Sequence, residues 1–598
     1  MKNLALIVTI ASLVAFLTSC SPPATDETAD DFVARANNEL KELRKEVGAA
    51  NWEWRTNITE DTAAASARAN EHYAEWHSSM VAQSLQYDGQ ELAPQTRRAL
   101  DLLKLGTTKP APNDPAKRKQ LSRILTDLAS MYGEGKYCRS DGDCLSRPEL
   151  EDIMAQSRDY DELLEAWQGW RTVSPPMRDK YQHFVELTNE GARELGYSDL
   201  GAMWRSGYDM SDADFQQEAS RLWEQVKPLY EELHCHVRAK LGDFYGEDKV
   251  PQDQPIPAHL LGNMWSQEWG FIYDIMEPYP GESDLDVDRT LKTKAYSPQE
   301  MVRSAESFYV SLGLPRLPDT FWERSMFSKP PDREVACHAS AWGLDGGNDL
   351  RIKMCIKQTY DELRVIYHEL GHNYYQGAYK DQPPLFQGGA HSGFHEAIGD
   401  TVTLSMTPGY LFEVGLVASA AQSREAVINR QMMRALDKIA FLPFGKLIDE
   451  WRWDVFSGEI RPADYNKTWW ELRTRYQGIA PPVTRTEADF DPGAKYHIPS
   501  NVSYTRYFLA RILQFQFQRA LCAVAGHEGE LHACSLYGSK EAGARLQAML
   551  EVGQSKPWQD TLEKLTGTRE MDASAIIDYF APLMAWLREQ NKGRSCGW

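Results

Sequence analysis

The sequence of 598 residues has no tract rich in lysine or arginine, and its formal net charge at pH 7 is −21. Proteins that bind nucleic acid depend mainly on neutralising phosphates, so we expect no nucleic-acid partner. Internal repeats and low-complexity tracts are also lacking. The content of 42% hydrophobic and 11% aromatic residues suffices for a large buried core. We therefore expect a globular protein with an acidic, solubilising surface.

The N-terminus has the features of an export signal. Lys2 begins a short basic region, an apolar run follows, and Leu-Thr-Ser-Cys at 17–20 ends it. This resembles a bacterial lipobox, in which residues 1–19 are removed and Cys20 carries a lipid. An ordinary signal peptide with an accidental cysteine is the alternative, and it also implies export. Ser21, rather than aspartate, follows the cysteine, and in this the sequence resembles lipoproteins that are forwarded to the outer membrane.

The resulting organisation is a signal peptide at 1–19, a lipidated N-terminus and linker at 20–28, and one folded domain at 29–598. Membrane contact is expected only through the lipid, at the cell envelope.

Export makes the nine cysteines interpretable as disulfides. With Cys20 set aside, three pairs are close enough for local bridges: Cys138 with Cys144, Cys337 with Cys355, and Cys522 with Cys534. Cys235 and Cys596 remain without an assigned partner. The run His234-Cys235-His236 raises the alternative of a metal site. Adjacent helical residues diverge by about 100° and cannot chelate one ion, which favours a buried structural cysteine.

Period-two alternation is scarce, and apolar residues recur at steps of three and four, which predicts an all-α fold with very little strand. Clear helical segments are 31–47, 118–131, 147–167 and 214–241. One strand pair is plausible, 336–342 with 350–355, across a glycine-rich turn. The clusters at 109–115 and 251–257 are predicted to be loops inside one domain, since the helical pattern resumes on both sides.

Histidine is rare, with 14 in the chain, yet His368, Glu369 and His372 form the motif His-Glu-x-x-His behind an apolar run. Four residues of helix advance about 400°, so His368 and His372 project from one face and can share an ion. The motif favours zinc.

A hydrolytic zinc site needs three protein ligands and an open position for water. Glu396, on a second helical stretch, is the candidate third ligand. Asp400 lies four residues later on the same face, where it can accept the free N–H of a ligand histidine. The alternative is a solvated helix face, which the apolar neighbours of Glu396 disfavour.

Such a site would hydrolyse a peptide bond by activating a water molecule. Zinc lowers the pKa of bound water and polarises the scissile carbonyl, while Glu369 takes the proton. The oxyanion needs a further donor and the departing amine needs a proton. A tyrosine and a histidine from elsewhere in the chain should therefore converge here.

Around these residues the sequence closely resembles the angiotensin-converting enzyme family, the M2 peptidases, over nearly the whole mature chain. The resemblance is carried by PAHLLGNMW at 257–265, CHASAW at 337–342 and DPGAKYHIP at 491–499. It implies a single peptidase domain of the gluzincin type, an almost wholly helical ellipsoid of two subdomains around a deep central groove that favours short peptides. It also implies the three local disulfides and one Zn²⁺ per chain.

The resemblance implies two further catalytic groups. His497 resembles the histidine that donates a proton to the leaving group, and Tyr507 resembles the hydroxyl that stabilises the oxyanion. His338, helped by the backbone carbonyl of Ala339, resembles a group that holds the substrate backbone. Taken singly, either histidine would more often be a satisfied buried side chain. The flanking blocks favour the functional interpretation.

Gln267, Lys495 and Tyr504 resemble the trio that binds the substrate's C-terminal carboxylate two residues beyond the cut. The single-residue carboxypeptidase branch replaces the glutamine and the tyrosine, so their retention implies a peptidyl-dipeptidase acting on peptides with a free C-terminus. Ser503 stands where a proline is common in the family, so the resemblance does not determine the detailed shape of the substrate pocket. The alternatives are an oligopeptidase that cuts internally and a silent peptide-binding relative.

Two anion-binding sets of the family can also be matched: Arg171, Trp469 and Arg473 in one, Tyr208 and Arg506 in the other. The alternative is that these arginines form ordinary salt bridges. Arg506 lies between Tyr504 and Tyr507, so a chloride that neutralises it would also position both hydroxyls. The resemblance therefore implies activation by chloride.

Overall fold

The computed structural model describes residues 27–140, 142–282 and 285–598. The predictions for the signal peptide at 1–19, for Cys20 and for most of the linker at 20–28 lie outside these ranges. Within them, no helix combines the length and the apolar character that crossing a membrane requires.

The described part of the chain is mainly α-helical, which confirms the predicted all-α class. The helices of the first half are α1 (Ala29–Thr56), α2 (Glu60–Ser84), α3 (Pro94–Lys104), α4 (Pro115–Gly133), α5 (Arg147–Gln156), α6 (Tyr160–Arg171), α7 (Arg178–Glu194), α8 (Leu200–Ser206), α9 (Asp212–Tyr245), α10 (Tyr273–Met276) and α11 (Val287–Thr293). The second half contains α12 (Pro298–Ser311), α13 (Asp319–Arg324), α14 (Tyr360–Ala378), α15 (Ser392–Leu404), α16 (Pro408–Glu413), α17 (Arg424–Ser457), α18 (Tyr465–Gln477), α19 (Thr505–Val524), α20 (Lys540–Leu550), α21 (Trp558–Thr566), α22 (Ser574–Tyr579) and α23 (Ala581–Gln590).

Three of the four predicted helical segments lie within single helices, α1, α4 and α9. The fourth, 147–167, was wrong as one element because it comprises α5 and most of α6. Ser157 after α5 is extended, and the Asp159 side chain accepts hydrogen bonds from the amides of Asp161 and Glu162. This N-cap starts a new helix, since a capping carboxylate satisfies amides that have no partner within the helix.

The strands form three small two-stranded sheets: β1 (Lys136–Cys138) with β2 (Cys144–Ser146), β3 (Ile256–Pro257) with β6 (Ile479–Ala480), and β4 (Ser340–Leu344) with β5 (Asp349–Lys353). The antiparallel pair β4–β5 lies where the one predicted pair was expected. The other two pairs correct the expectation of a single strand pair. Their strands are two or three residues long, too short for alternation to be recognised.

Four disulfides close the described chain. The three local pairs, Cys138–Cys144, Cys337–Cys355 and Cys522–Cys534, are confirmed. The fourth joins Cys235 to Cys596 across 361 residues. Buried Cys235 is therefore structural, and the metal-site alternative for the run 234–236 is excluded.

The β4–β5 hairpin brings the CHASAW block to α14. Asn373 of α14 donates its amide to the carbonyl oxygens of Trp342, at 3.2 Å, and Arg351, at 3.1 Å. Trp342 also packs edge-on against Trp52 of α1, with ring centroids 5.6 Å apart. One hairpin is thus held between α1 and the helix that carries the His-Glu-x-x-His motif.

Candidate metal centre and substrate groove

The three predicted metal ligands lie together at the crossing of α14 and α15. Thr359 caps α14, and Leu363, Ile366 and Leu370 bury its apolar face. His368 and His372 project from another face, toward Glu396 of α15. One ligand atom from each of these three residues lies within 4.8 Å of the others. Among the residues that the structure describes, no second cluster of this kind is found.

Two glycines allow the helices to come this close. A Cβ atom on Gly371 would lie 2.7 Å from the Cα of Gly399. A Cβ atom on Gly399 would lie 2.5 Å from the carbonyl oxygen of His368 and 2.8 Å from its Nδ1. All three distances are shorter than non-bonded contacts permit. Sequence reasoning missed this role, although each glycine stands inside a ligand motif.

Asp400 lies within hydrogen-bonding distance of His368. Its Oδ1 lies 3.2 Å from His368 Nδ1, and its Oδ2 lies 3.3 Å from Lys438 Nζ and 3.6 Å from Arg511 Nη1. Burial lowers the pKa of His368, but the hydrogen bonds that its ring donates to Asp400 and Glu396 outweigh burial and raise that pKa to about 10. The carboxylates thus create a potential that strongly favours a positive charge at this point.

His372 has its own supporting partner, which the sequence analysis did not identify. Its Nδ1 lies 3.1 Å from Nδ1 of His395, whose Nε2 lies 3.1 Å from the hydroxyl of Tyr379. If His395 carries its proton on Nε2, its Nδ1 accepts the Nδ1–H of His372. Burial lowers the pKa of His372 to about 3, so its Nε2 presents a lone pair to the site.

The donor set fits Zn²⁺. Two imidazole rings and one carboxylate converge, and the Nε2 atoms of His368 and His372 lie 3.1 Å apart. Each ring is oriented by a hydrogen bond on its other nitrogen. This is the usual combination of ligands and supporting partners around zinc.

Glu369 borders the ligands and faces a cavity of about 510 Å³, together with His338, Ala339 and His368. Burial is the main cause that raises the pKa of the Glu369 carboxyl above its ordinary value. A carboxylate of raised pKa is a better proton acceptor. Lys353 donates to the carbonyl oxygen of His338 at 2.5 Å, which fixes the backbone of this part of the cavity lining.

The three residues expected to bind a carboxylate, Gln267, Lys495 and Tyr504, converge. They are referred to by this expected role as the anion-binding trio. Lys495 Nζ lies 2.5 Å from Gln267 Oε1, to which the Tyr504 hydroxyl also donates at 3.2 Å. Burial lowers the pKa of Lys495 to about 7. A buried ammonium group without water around it is stabilised by an anion, and neutral donors beside it can hydrogen-bond the same anion.

His497 and Tyr507 link the trio to the metal ligands. The ring of Tyr504 lies 4.6 Å from that of His497 and 5.0 Å from that of Tyr507. Burial raises the pKa of the Tyr507 phenol, and the nearby Glu396 carboxylate adds to the shift. Burial and the cationic Lys495 lower the pKa of His497 to about 2. Its ring is therefore neutral at neutral pH.

Asp449 fixes this arrangement and was not identified from the sequence. Its Oδ2 accepts the amides of Tyr504 at 2.6 Å and Thr505 at 2.7 Å. Its other oxygen pairs with Arg452, which donates to the carbonyl oxygen of His497 at 2.9 Å. One buried ion pair thus sets the start of α19 and the loop that carries His497.

In the first predicted chloride set, the arginines are buried and donate to backbone carbonyls. Arg171 donates to Trp167 and Met264, each at 3.0 Å, and Arg473 donates to Trp265 at 2.6 Å. The Arg473 guanidinium lies 5.7 Å from the ring centroid of Trp469. Burial lowers the pKa of each arginine to about 9.

Asp491 bears on the salt-bridge alternative for this set, because its Oδ1 lies 3.9 Å from Arg171 Nε. It pairs more closely with Arg485, at 2.6 Å. Arg171 is therefore not fully neutralised by this carboxylate.

In the second set, Arg506 donates to the Ser503 hydroxyl at 2.7 Å. The Tyr208 hydroxyl lies 3.3 Å from that of Ser392. Burial raises the pKa of Tyr208 to about 12, against the influence of the nearby Arg506 charge. The two members of the set therefore lie close to each other, and Ser503 is a direct partner of Arg506.

The chain is similar to known proteins over almost all of its length. Residues 23–598 match the sequence model described as angiotensin-converting enzyme, a peptidase family. The angiotensin-converting enzymes of Rattus norvegicus and Sus scrofa are each 44% identical to it, over 96% of this chain and 44% of their own length. That of Theromyzon tessulatum is 39% identical, over 98% of this chain and 96% of its own.

The chain thus spans less than half the length of the two mammalian relatives, but nearly all of the one from Theromyzon tessulatum. The match includes α14 and α15, which carry the ligands, and all three residues of the trio. The chain belongs to the angiotensin-converting enzyme family, the M2 zinc metallopeptidases.

Proposed function

We propose that the protein is a zinc-dependent peptidyl-dipeptidase, which releases C-terminal dipeptides from short peptides. The observation that carries the proposal is the combination of a His368–His372–Glu396 cluster with a buried anion-binding trio, connected through the adjacent rings of Tyr504 and Tyr507. The cluster supports hydrolysis, and the trio supports recognition of a free C-terminal carboxylate.

Zn²⁺ held by the cluster would acidify a water molecule and polarise the carbonyl of the bond to be cut. Glu369 takes the proton of the attacking water, for which its raised pKa suits it. Tyr507 donates its hydroxyl hydrogen to the developing oxyanion. His497 donates a proton to the departing amine, the role that the sequence analysis expects of it. Glu369 returns the proton that it took from water, which keeps the proton count balanced.

His338 and the carbonyl of Ala339 bind the substrate backbone in the cavity that Glu369 also lines. The trio binds the terminal carboxylate, which limits the substrate to two residues beyond the cut. An enzyme with this constraint cuts peptides with an amidated C-terminus poorly, because the amide cannot neutralise Lys495.

The test is mass spectrometry of products from a short-peptide library incubated with the mature protein, using free and amidated C-termini. Release of dipeptides from free termini alone supports the proposal. Equal cleavage of amidated peptides would favour the internal-cutting oligopeptidase. Peptide binding without any product would favour the silent relative.

We also propose chloride as an activator, through the Arg171–Trp469–Arg473 and Tyr208–Arg506 sets. The buried, incompletely neutralised arginines support this. Lipid attachment at Cys20, with envelope localisation, rests on the lipobox pattern alone.

A further inference from the structure

A charged wall lies beside the anion-binding trio and has no part in the proposed chemistry. Glu268 directly follows Gln267, and Arg511 lies one turn beyond Tyr507 on α19. Arg511 Nη2 is 3.2 Å from Glu268 Oε1 and 3.5 Å from Asp437 Oδ1. One guanidinium therefore bridges a carboxylate of α17 and a carboxylate adjoining the trio.

The most exposed side chains of this wall are acidic. Asp400 also contacts Arg511, and Lys438 contacts both Asp400, at 3.3 Å, and Asp437, at 3.7 Å. Asp400 is also paired with His368, so Arg511 and Lys438 are the cations that contact the two outer carboxylates, Glu268 and Asp437. The side chains of Glu268 and Asp437 are 33% and 38% exposed, against 17% for Arg511 and 8% for Lys438. Glu268 and Asp437, rather than the two cations, therefore face open space.

The ionisation of Glu268 is affected by its neighbours. Burial and the Asp437 carboxylate raise the pKa of Glu268, and together they outweigh the Arg511 and Lys495 charges, which lower it. A further cation would stabilise the charged forms of two carboxylates that repel each other across one guanidinium.

An apolar surface connects the trio to the wall. The ring of Phe441 lies 5.7 Å from the ring of Tyr504 and 5.2 Å from the Arg511 guanidinium. The amide of Trp269 donates to the carbonyl oxygen of Leu436 at 2.7 Å, which fixes the Glu268 loop against α17. A side chain leaving the trio would therefore cross an aromatic ring before it reached the carboxylates. Lysine and arginine have this order of aliphatic stem and cationic head.

We propose that this pocket selects peptides whose C-terminal residue is lysine or arginine, with Glu268 and Asp437 binding the cationic head. The proposal rests on the proposed function, because the trio must hold the carboxylate of the same residue. An acidic C-terminal residue is disfavoured, since Arg511 already contacts three carboxylates and a fourth would add repulsion.

The experiment compares three peptides that differ only in a C-terminal lysine, norleucine or glutamate. We expect kcat/KM for the lysine peptide to exceed that for the norleucine peptide about fivefold, the scale of one partly exposed ion pair, with glutamate the poorest. Glu268→Gln and Asp437→Asn should each bring the lysine-to-norleucine ratio toward one. Glu471→Gln, which changes an exposed acid on α18, should leave the ratio as in the wild type.

A second measurement does not require turnover. Calorimetry should show that alanyl-lysine binds the wild-type protein more tightly than alanyl-norleucine, and that Glu268→Gln removes the difference. If Glu268→Gln does not fold, Asp437→Asn provides the same comparison.

Equal kcat/KM values for the lysine and norleucine peptides, with dipeptides still released from both, would overturn the specificity proposal and leave the peptidyl-dipeptidase intact. Absence of dipeptide release from all three peptides would instead overturn the proposed function. The calorimetric difference would then decide the pocket's preference separately.

Discussion

Replacing Gly399 by alanine tests whether the close crossing of α14 and α15 creates the metal site. The added Cβ would lie 2.5 Å from the carbonyl oxygen of His368 and 2.8 Å from its Nδ1. Because both contacts are with groups held by α14, the helices must separate. Overpacking of this kind destabilises proteins by about 1–3 kcal/mol. Separation also lengthens the hydrogen bond between the His368 ring and the Asp400 carboxylate. Loss of such a supporting hydrogen bond weakens metal binding about 10–100-fold.

The assays are zinc affinity by competition with a chelator, and thermal unfolding with and without zinc. Gly377→Ala is the matched control, since Gly377 lies on the same helix α14 and a Cβ there would meet only Leu350, at an ordinary 3.4 Å. That change should stabilise the protein slightly, because alanine favours a helix by about 0.5–1 kcal/mol over glycine. Gly399→Ala with wild-type zinc affinity and unfolding temperature would refute the close-crossing explanation.

Three further outcomes follow from the site. Glu369→Gln should retain zinc, measured by metal analysis, while kcat falls about 10²–10⁴-fold because the base is lost; a near wild-type rate would refute its role. The pKa of Lys495 near 7 means that its charge declines as pH rises through 7, so KM for free-carboxylate peptides should rise above neutrality, whereas amidated peptides should lack this rise. Chloride, titrated at fixed ionic strength against acetate, should raise activity, and Arg506→Gln should flatten that response; a flat wild-type titration would contradict it.

The metal ligands could be predicted because their pattern is local. His368 and His372 are related by one helical turn, and Glu396 and Asp400 by another, so helix geometry alone places each pair on one face. What the spacing could not give was the distance between the two faces. That distance depends on Gly371 and on its contact with α15, which is a tertiary property.

The anion-binding trio could be assigned only through the family resemblance. Gln267 and Lys495 are 228 residues apart, yet their side chains are in contact. No periodicity relates two such positions, and each alone is an ordinary polar residue. The same limit explains why the disulfide between Cys235 and Cys596, across 361 residues, was left unassigned.

The supporting residues were missed for a different reason. His395 and Asp449 stand in ordinary helical sequence, and what distinguishes them is the partner that each one holds. Asp400 shows how far such partnerships extend, because one oxygen orients the ligand His368 while the other neutralises Arg511 and Lys438. Since those two cations also balance the wall beside the trio, a single carboxylate connects the electrostatics of the metal site with those of the pocket for the substrate's C-terminal residue. The chemistry and the proposed specificity of this protein are therefore not independent features of the fold.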